Sequence, residues 1–108
     1  MFARSVSLHL KTSGGVAEFT RLIEDETLPL LRRQKGFQDE LTFVVPGGGG
    51  EAFAISLWDE KQNADSYGRN AYPEVLKALG KVLEGTPQVR TFEVCNSTFH
   101  KIAVPAAV

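Results

Sequence analysis

Apolar and polar residues alternate along residues 2–10, which is the two-residue period of a strand with one buried face. One face carries Phe2, Val6, Leu8 and Leu10, and the other carries Ala3, Ser5, Ser7 and His9. Gly14 and Gly15 then interrupt the pattern. The chain is therefore predicted to open on a half-buried strand.

Apolar residues next recur at helical spacing. The stripe consists of Val16, Phe19, Leu22, Ile23, Leu30 and Leu31. This spacing predicts one long amphipathic helix with a kink at Pro29, because proline lacks a backbone donor and crowds the preceding turn. We expect Gly36 to stop the chain from continuing as a helix by adopting a left-handed conformation.

Two further alternating stretches follow, over residues 37–45 and 52–58. The proline and glycines of residues 46–50 form a flexible connection, so the two stretches predict a hairpin. Asp39 is the odd member of an otherwise apolar face, for which a bulge or an edge position is the simplest explanation.

The remaining elements are a second helix and a last strand. Asp59 followed by Gln62 resembles a capping box that opens the helix, which is predicted to restart at Pro73 and to end at Gly85. Residues 86–96 then form the last strand. The resulting order is strand, helix, strand, strand, helix, strand.

With right-handed crossovers, this order predicts an α+β fold: a ferredoxin-like antiparallel sheet with both helices on one face. Assigning the more apolar side of each strand to the helices leaves an open side. In the first three strands this side carries Ala3, Ser5, Ser7 and His9, then Gln38, Glu40, Thr42 and Val44, then Ala54, Ser56 and Trp58. Such a face is too apolar for water and too polar for a dry core, so we expect a homodimer that encloses a cleft, a dimeric α/β barrel.

Length and charge narrow the class of protein. The chain has 108 residues and a net charge of −1, which fits one domain over residues 1–108 with a core at about 2–96 and an extension at 97–108. Lys and Arg do not form a basic stripe, and no apolar run approaches the roughly 20 residues of a membrane helix. We expect a cytoplasmic protein with no nucleic-acid or membrane partner. The single cysteine, Cys95, permits neither an internal disulfide nor a thiolate metal cage.

Several short motifs resemble the antibiotic-biosynthesis-monooxygenase family of dimeric α/β barrels. They are residues 55–60 (ISLWDE) with the Ala64 and Tyr67 that follow, residues 72–76 (YPEVL), and residues 34–37 (QKGF). The resemblance implies the same fold over residues 2–96. It also implies activities that include cofactor-free oxygenation of aromatic polyketides and quinols, and heme degradation.

The resemblance implies that Trp58 lines a substrate pocket, although a packing role inside the dimer is an equal alternative. Beside Trp58 we place Ser5 and Gln38 on the neighbouring strands and Tyr67 on the helix beyond. Ser56, Tyr67 and Gln38 are the predicted orienting groups for a small aromatic or apolar ligand.

The other candidate residues have simpler explanations. His9 is expected at the end of the sheet remote from Trp58, about 20 Å away, because the two strands run antiparallel. Cys95 is expected to be a buried, inert thiol. The two histidines, His9 and His100, form no recognisable metal-ligand spacing. The second helix lacks the histidine that heme-degrading members carry, so no cofactor is expected.

Two functions remain open at this point. The first is a cofactor-independent monooxygenase that acts on a small aromatic phenol or quinol. The second is a non-catalytic dimeric module that binds a small apolar metabolite. The resemblance also implies an asparagine on the sheet near the tryptophan in oxygenase members. Here Ala54, Ser56, Ser5 and Val6 occupy that neighbourhood, which weakens the first function.

Overall fold

The computed structural model of this chain describes residues 1–47 and 49–102. Its strands are β1 (Phe2–His9), β2 (Phe37–Val44), β3 (Glu51–Trp58) and β4 (Gln88–Glu93), and its helices are α1 (Val16–Leu22), α2 (Leu28–Arg32), α3 (Lys61–Asn70) and α4 (Tyr72–Leu79). The strands form one antiparallel sheet in the order β2-β3-β1-β4. This confirms the predicted α+β, ferredoxin-like fold.

The first helical region contains a π-helical segment, Ile23–Thr27, between α1 and α2. At its end the Leu28 N–H donates to the Ile23 carbonyl, one residue further back than in an α-helix. The π-helical segment therefore interrupts the regular helix directly before Pro29, the position of the predicted kink. Pro29 lies in the first turn of α2, where its missing donor is not needed. Gly36 has a φ of 82°, the left-handed conformation that the sequence predicted.

The start of α3 differs from the predicted capping box. An Asp59 side-chain oxygen accepts hydrogen bonds from the Glu60 N–H at 2.6 Å and from the Asn63 side-chain amide at 2.8 Å. Gln62 instead donates to the Glu60 carboxylate at 2.9 Å. Asp59 thus stabilises the turn between β3 and α3, and it does so from the position just before the residue that caps the helix.

The helices pack on the sheet face that carries Val6 and Leu8, so the predicted orientation of β1 is confirmed. The predicted orientations of β2 and β3 are wrong. Ser56 pairs with Arg4 on one side and with Glu40 on the other, which places all three on the helix side. The same pairing turns Thr42, Val44, Ala54 and Trp58 toward the helices.

A β-bulge between Phe37 and Asp39 explains part of this reversal. The extra residue changes the parity of β2, so that Phe37 faces the helices while Leu41 and Phe43 face away. Gln38 lies in the bulge and is exposed. The bulge and the edge position proposed for Asp39 are both present.

The sheet face opposite the helices is more apolar than predicted. Its exposed side chains include Leu41 (52% exposed), Phe43 (47%), Phe92 (42%) and Phe53 (37%). These residues come from three strands and form one open apolar face. Within residues 1–47 and 49–102, no helix is both long and apolar enough to cross a bilayer.

Candidate functional site

A cavity of about 40 Å³ lies between the sheet and the helices, and we call it the sheet–helix cavity. Its apolar lining residues are Val6, Leu8, Ile23, Leu31, Ala54, Val75, Leu76 and Leu79, and its polar ones are Arg4, Thr27, Glu40, Ser56, Tyr67 and Tyr72. The volume holds roughly three water-sized spheres. Apolar walls with a few convergent polar groups are typical of small-molecule sites.

Arg4 carries the one positive charge in this lining. It is only 7% exposed, and its guanidinium carbon lies 4.0 Å from the centre of the Tyr72 ring and 5.2 Å from that of Tyr67. No carboxylate of the described residues lies within ion-pairing distance of it. Buried charges are usually paired, so this cation is available for an anionic ligand.

Gly68 on α3 makes room for the guanidinium. A Cβ at this position would lie 3.6 Å from both Nε and Nη2 of Arg4. An alanine Cβ at this position would therefore be in ordinary van der Waals contact with the guanidinium. The path of Arg4 is therefore fixed by the rings on one side and by the α3 backbone on another.

Two hydroxyl groups in the cavity lining lack partners. Among the described residues, the buried Thr27 Oγ1 has no hydrogen-bond partner, and the buried Tyr72 hydroxyl has none in good geometry, although Arg4 acts to lower its pKa against the rise that burial causes. An unsatisfied buried hydroxyl costs about 1–3 kcal/mol, which a ligand oxygen would recover. Thr27 ends the π-helical segment, and such segments frequently occur at functional sites.

Glu40 is the acidic member of the lining. One of its carboxylate oxygens accepts a hydrogen bond from the Thr42 hydroxyl at 2.6 Å. Burial raises the pKa of Glu40 above its ordinary value, and the Thr42 hydrogen bond opposes this rise. Burial also raises the pKa of Tyr67 to about 12, against the lowering effect of Arg4. Tyr67 is therefore a neutral phenol at physiological pH.

Trp58 lies behind the cavity, with none of its surface exposed. Its ring centre is 5.1 Å from that of Tyr67 and 5.7 Å from that of Phe37, and its Nε1 donates to Ser56 Oγ at 2.8 Å. It is not among the lining residues. Trp58 thus supports the wall and orients Ser56, whose own hydroxyl proton remains free to point at a ligand.

The structure brings together only part of the predicted pocket. Ser56 and Tyr67 both line the sheet–helix cavity, beside Trp58. Ser5 pairs with Ile55 on the opposite face of the sheet, and the exposed Gln38 lies outside the lining. The predicted grouping of Ser5 and Gln38 with Trp58 is therefore wrong, because it assumed the reversed orientation of β3.

The other candidates lie elsewhere. His9 pairs with Glu51, at the end of the sheet opposite to the Phe2–Trp58 pair, as expected. His100 contacts the Asp39 carboxylate. Cys95 is exposed, so its predicted burial is wrong. In the described part of the chain, no three His, Cys, Asp or Glu side chains converge as a metal site would require.

Four polar lining residues were not predicted from the sequence as site residues: Arg4, Thr27, Glu40 and Tyr72. Arg4 did carry a signal, because it interrupts the apolar face formed by Phe2, Val6 and Leu8. A charge at such a position needs a partner or a function. Thr27 and Tyr72 carried no comparable signal, because their positions in the cavity depend on where the helices are interrupted.

Known structures resemble this one along most of the chain. A protein of unknown function from Nitrosomonas europaea has a TM-score of 0.73 and 16% identity, covering 96% of this chain and 95% of its own. A provisionally named antibiotic biosynthesis monooxygenase from Bordetella bronchiseptica has a TM-score of 0.72 and 18% identity, covering 86% and 95%. SnoaB, a cofactor-independent oxygenase from Streptomyces nogalater, has a TM-score of 0.71 and 14% identity, covering 90% and 95%.

These similarities confirm the fold that the sequence motifs implied: the structural match is to proteins named for the antibiotic-biosynthesis-monooxygenase family. Identities this low establish a shared fold and leave the activity open. No protein-family model matches the sequence, and the curated proteins contain no significant match.

Proposed function

We propose that this protein is a cofactor-independent monooxygenase that binds a small aromatic phenol or quinol in the sheet–helix cavity. The observation that carries the proposal is the buried Arg4 guanidinium, which lies against the Tyr72 ring without a carboxylate partner among the described residues. A phenolate oxygen supplies the missing negative charge, and its ring matches the aromatic and aliphatic walls.

The chemistry requires an ionised substrate. A phenolate transfers one electron to O₂, and the resulting phenoxyl radical and superoxide combine at a ring carbon. Loss of the ring proton and cleavage of the O–O bond then give a quinone and water. One phenol and one O₂ thus yield one quinone and one water, and the substrate supplies all the electrons. Arg4 favours this series of reaction steps because it stabilises the phenolate in a site of low dielectric constant.

The cavity must widen to admit an aromatic ring, because its present volume holds only a few waters. Four lining residues are only half buried and mark the side where solvent is nearest: Glu40, Ala54, Tyr72 and Leu76. We expect the ring to enter there, by rotation of the Glu40, Tyr72 and Leu76 side chains rather than by movement of the sheet. Such rotamer changes are common when ligands bind.

The test measures O₂ consumption by the purified protein with a panel of hydroxyarenes, including hydroquinones and anthrones, in the presence of a chelator. We expect saturable O₂ uptake with one quinone formed per O₂ consumed for at least one substrate class. Binding of several phenols without O₂ uptake would favour the second candidate, a non-catalytic module that binds a small aromatic metabolite. The absence of asparagine and histidine from the described cavity lining supports that candidate.

We further propose that the protein acts as a homodimer through its open apolar face. The exposed Leu41, Phe43 and Phe92 of that face are unusual for a monomer. A face of this kind can supply the roughly 1,200–2,000 Å² in total that a stable interface buries. This dimer would also cover the sheet face opposite the Arg4 site.

The dimer leads to a prediction about Phe43→Glu. We expect this change to convert the protein to monomers, because it places a charge in an apolar interface. Val89→Glu is the matched control: Val89 is also an exposed strand residue (41%), but it pairs with Val6 and so lies on the helix side. Analytical ultracentrifugation at micromolar concentration measures the result. A monomeric wild-type protein, or a dimeric Phe43→Glu variant, would contradict the proposed interface.

A further inference from the structure

One row of residues crosses the sheet directly under the sheet–helix cavity. Glu40 of β2 pairs with Ser56 of β3, Ser56 pairs with Arg4 of β1, and Arg4 pairs with Thr91 of β4. Paired residues in neighbouring strands lie side by side on the same face. The row therefore presents an acid, a hydroxyl and a cation, in that order, to one cavity.

The row places the two charged residues on either side of Ser56. Neighbouring strands lie about 4.8 Å apart, so the Cα atoms of Glu40 and Arg4 are separated by about 10 Å, with Ser56 between them. In the described structure the two charged groups form no ion pair with each other. Both line the cavity, on either side of Ser56, so a ligand hydroxyl above Ser56 would lie between them.

From this juxtaposition we propose that Glu40 is the general base that takes the hydroxyl proton of the bound phenol, while Arg4 stabilises the phenolate that forms. The proton moves from the ligand oxygen to the carboxylate, and the O–H bonding pair stays on the ligand oxygen. The inference rests on the proposed function and assigns its first chemical step.

The surroundings of Glu40 fit this role. The carboxylate oxygen that accepts from Thr42 is occupied, which leaves the other oxygen for the ligand. Burial raises the pKa of Glu40, which makes its ionised form a stronger base. The other titratable groups in the lining are Arg4, Tyr67 and Tyr72, while the lining residues from β3 and from the π-helical segment contribute none.

The kinetic test compares Glu40→Gln with Glu93→Gln. Glu93 also lies on the helix side of an edge strand but is exposed and outside the cavity lining, so it is a matched control. We expect Glu40→Gln to lower kcat by about 10²–10⁴-fold and to remove the acid limb of the pH–rate profile, while Glu93→Gln changes neither. The limb should lie above the ordinary glutamate pKa of 4.5, because activity requires ionised Glu40.

Two further measurements separate a base from a structural residue. Added formate should restore part of the activity of Glu40→Ala, because a small carboxylate can occupy the vacated position. Calorimetric titration with 4-nitrophenolate, in buffers of different ionisation enthalpy, should show uptake of a proton by the wild-type protein and none by Glu40→Gln. Circular dichroism confirms that each variant is folded.

The outcomes distinguish this inference from the function on which it rests. If the wild type consumes O₂ and Glu40→Gln keeps its kcat within about threefold, Glu40 is not the base and the oxygenase proposal stands. If the wild type binds 4-nitrophenolate with Glu40-dependent proton uptake but oxidises no phenol, the proton-sharing site stands and the oxygenase proposal fails. If the wild type binds no phenol, both are overturned.

Discussion

Arg4→Met should weaken phenolate binding by about ten- to a hundredfold, since a hydrogen bond to a charged group contributes about 1.5–3 kcal/mol. We expect the free energy of unfolding to stay within about 1 kcal/mol of the wild type or to rise, because methionine removes a buried charge that has no carboxylate partner in the described structure. The lost stacking on Tyr72 offsets part of this gain. Titration with 4-nitrophenolate and urea denaturation measure the two effects.

Arg90→Met is the matched control for this variant. Arg90 also places its guanidinium over an aromatic ring, at 5.1 Å from the centre of Phe92, but it does so on the open face. Its replacement should leave phenolate affinity unchanged. An Arg4→Met protein that binds phenolate normally and is destabilised by more than about 2 kcal/mol would show that Arg4 is a packing residue.

Trp58→Ala should cost about 3–5 kcal/mol of stability, a large share of the 5–15 kcal/mol typical of a small domain. The reason is that Trp58 is completely buried and contacts Phe37 and Tyr67. Trp58→Phe should cost less, about 1–2 kcal/mol, since it retains most of the volume but loses the hydrogen bond to Ser56. Urea denaturation followed by circular dichroism provides the measurement.

Phe99→Ala is the surface control, because Phe99 is 91% exposed and its truncation should change stability by less than about 0.5 kcal/mol. A cycle that combines Trp58→Phe with Ser56→Ala isolates the hydrogen bond between these two residues. If Trp58→Phe keeps full stability and loses tenfold or more in ligand affinity, Trp58 contacts the ligand directly, contrary to its position behind the cavity.

The order of the elements was predictable because each has a regular period and clear end signals. The alternation in β1, the helical stripe from Val16 and the left-handed Gly36 were all interpreted correctly from the sequence. The faces of β2 and β3 were not. Both faces of these strands carry apolar residues, so counting them does not identify the side that meets the helices.

In β3 the side with more apolar residues, Phe53, Ile55 and Leu57, faces away from the helices. The helix side carries Ala52, Ala54 and Ser56, whose small side chains leave room for the cavity. In β2 the bulge after Phe37 shifts the parity, and no residue there marks a bulge unambiguously. The site was therefore only half predictable: Ser56 and Tyr67 were identified, whereas Arg4 was passed over.

The π-helical segment has a consequence for sequence comparison. Phe19 and Leu31 are both buried, yet at 3.6 residues per turn the twelve positions between them would rotate Leu31 by about 120° away from Phe19. Absorbing one residue in Ile23–Thr27 leaves eleven effective positions and a mismatch of only about 20°. An alignment of this chain with a protein whose first helix is continuous should therefore place a one-residue gap inside the helix. Without that gap, each residue of Leu28–Arg32 would be aligned with a residue that lies on a different face of the other protein's helix.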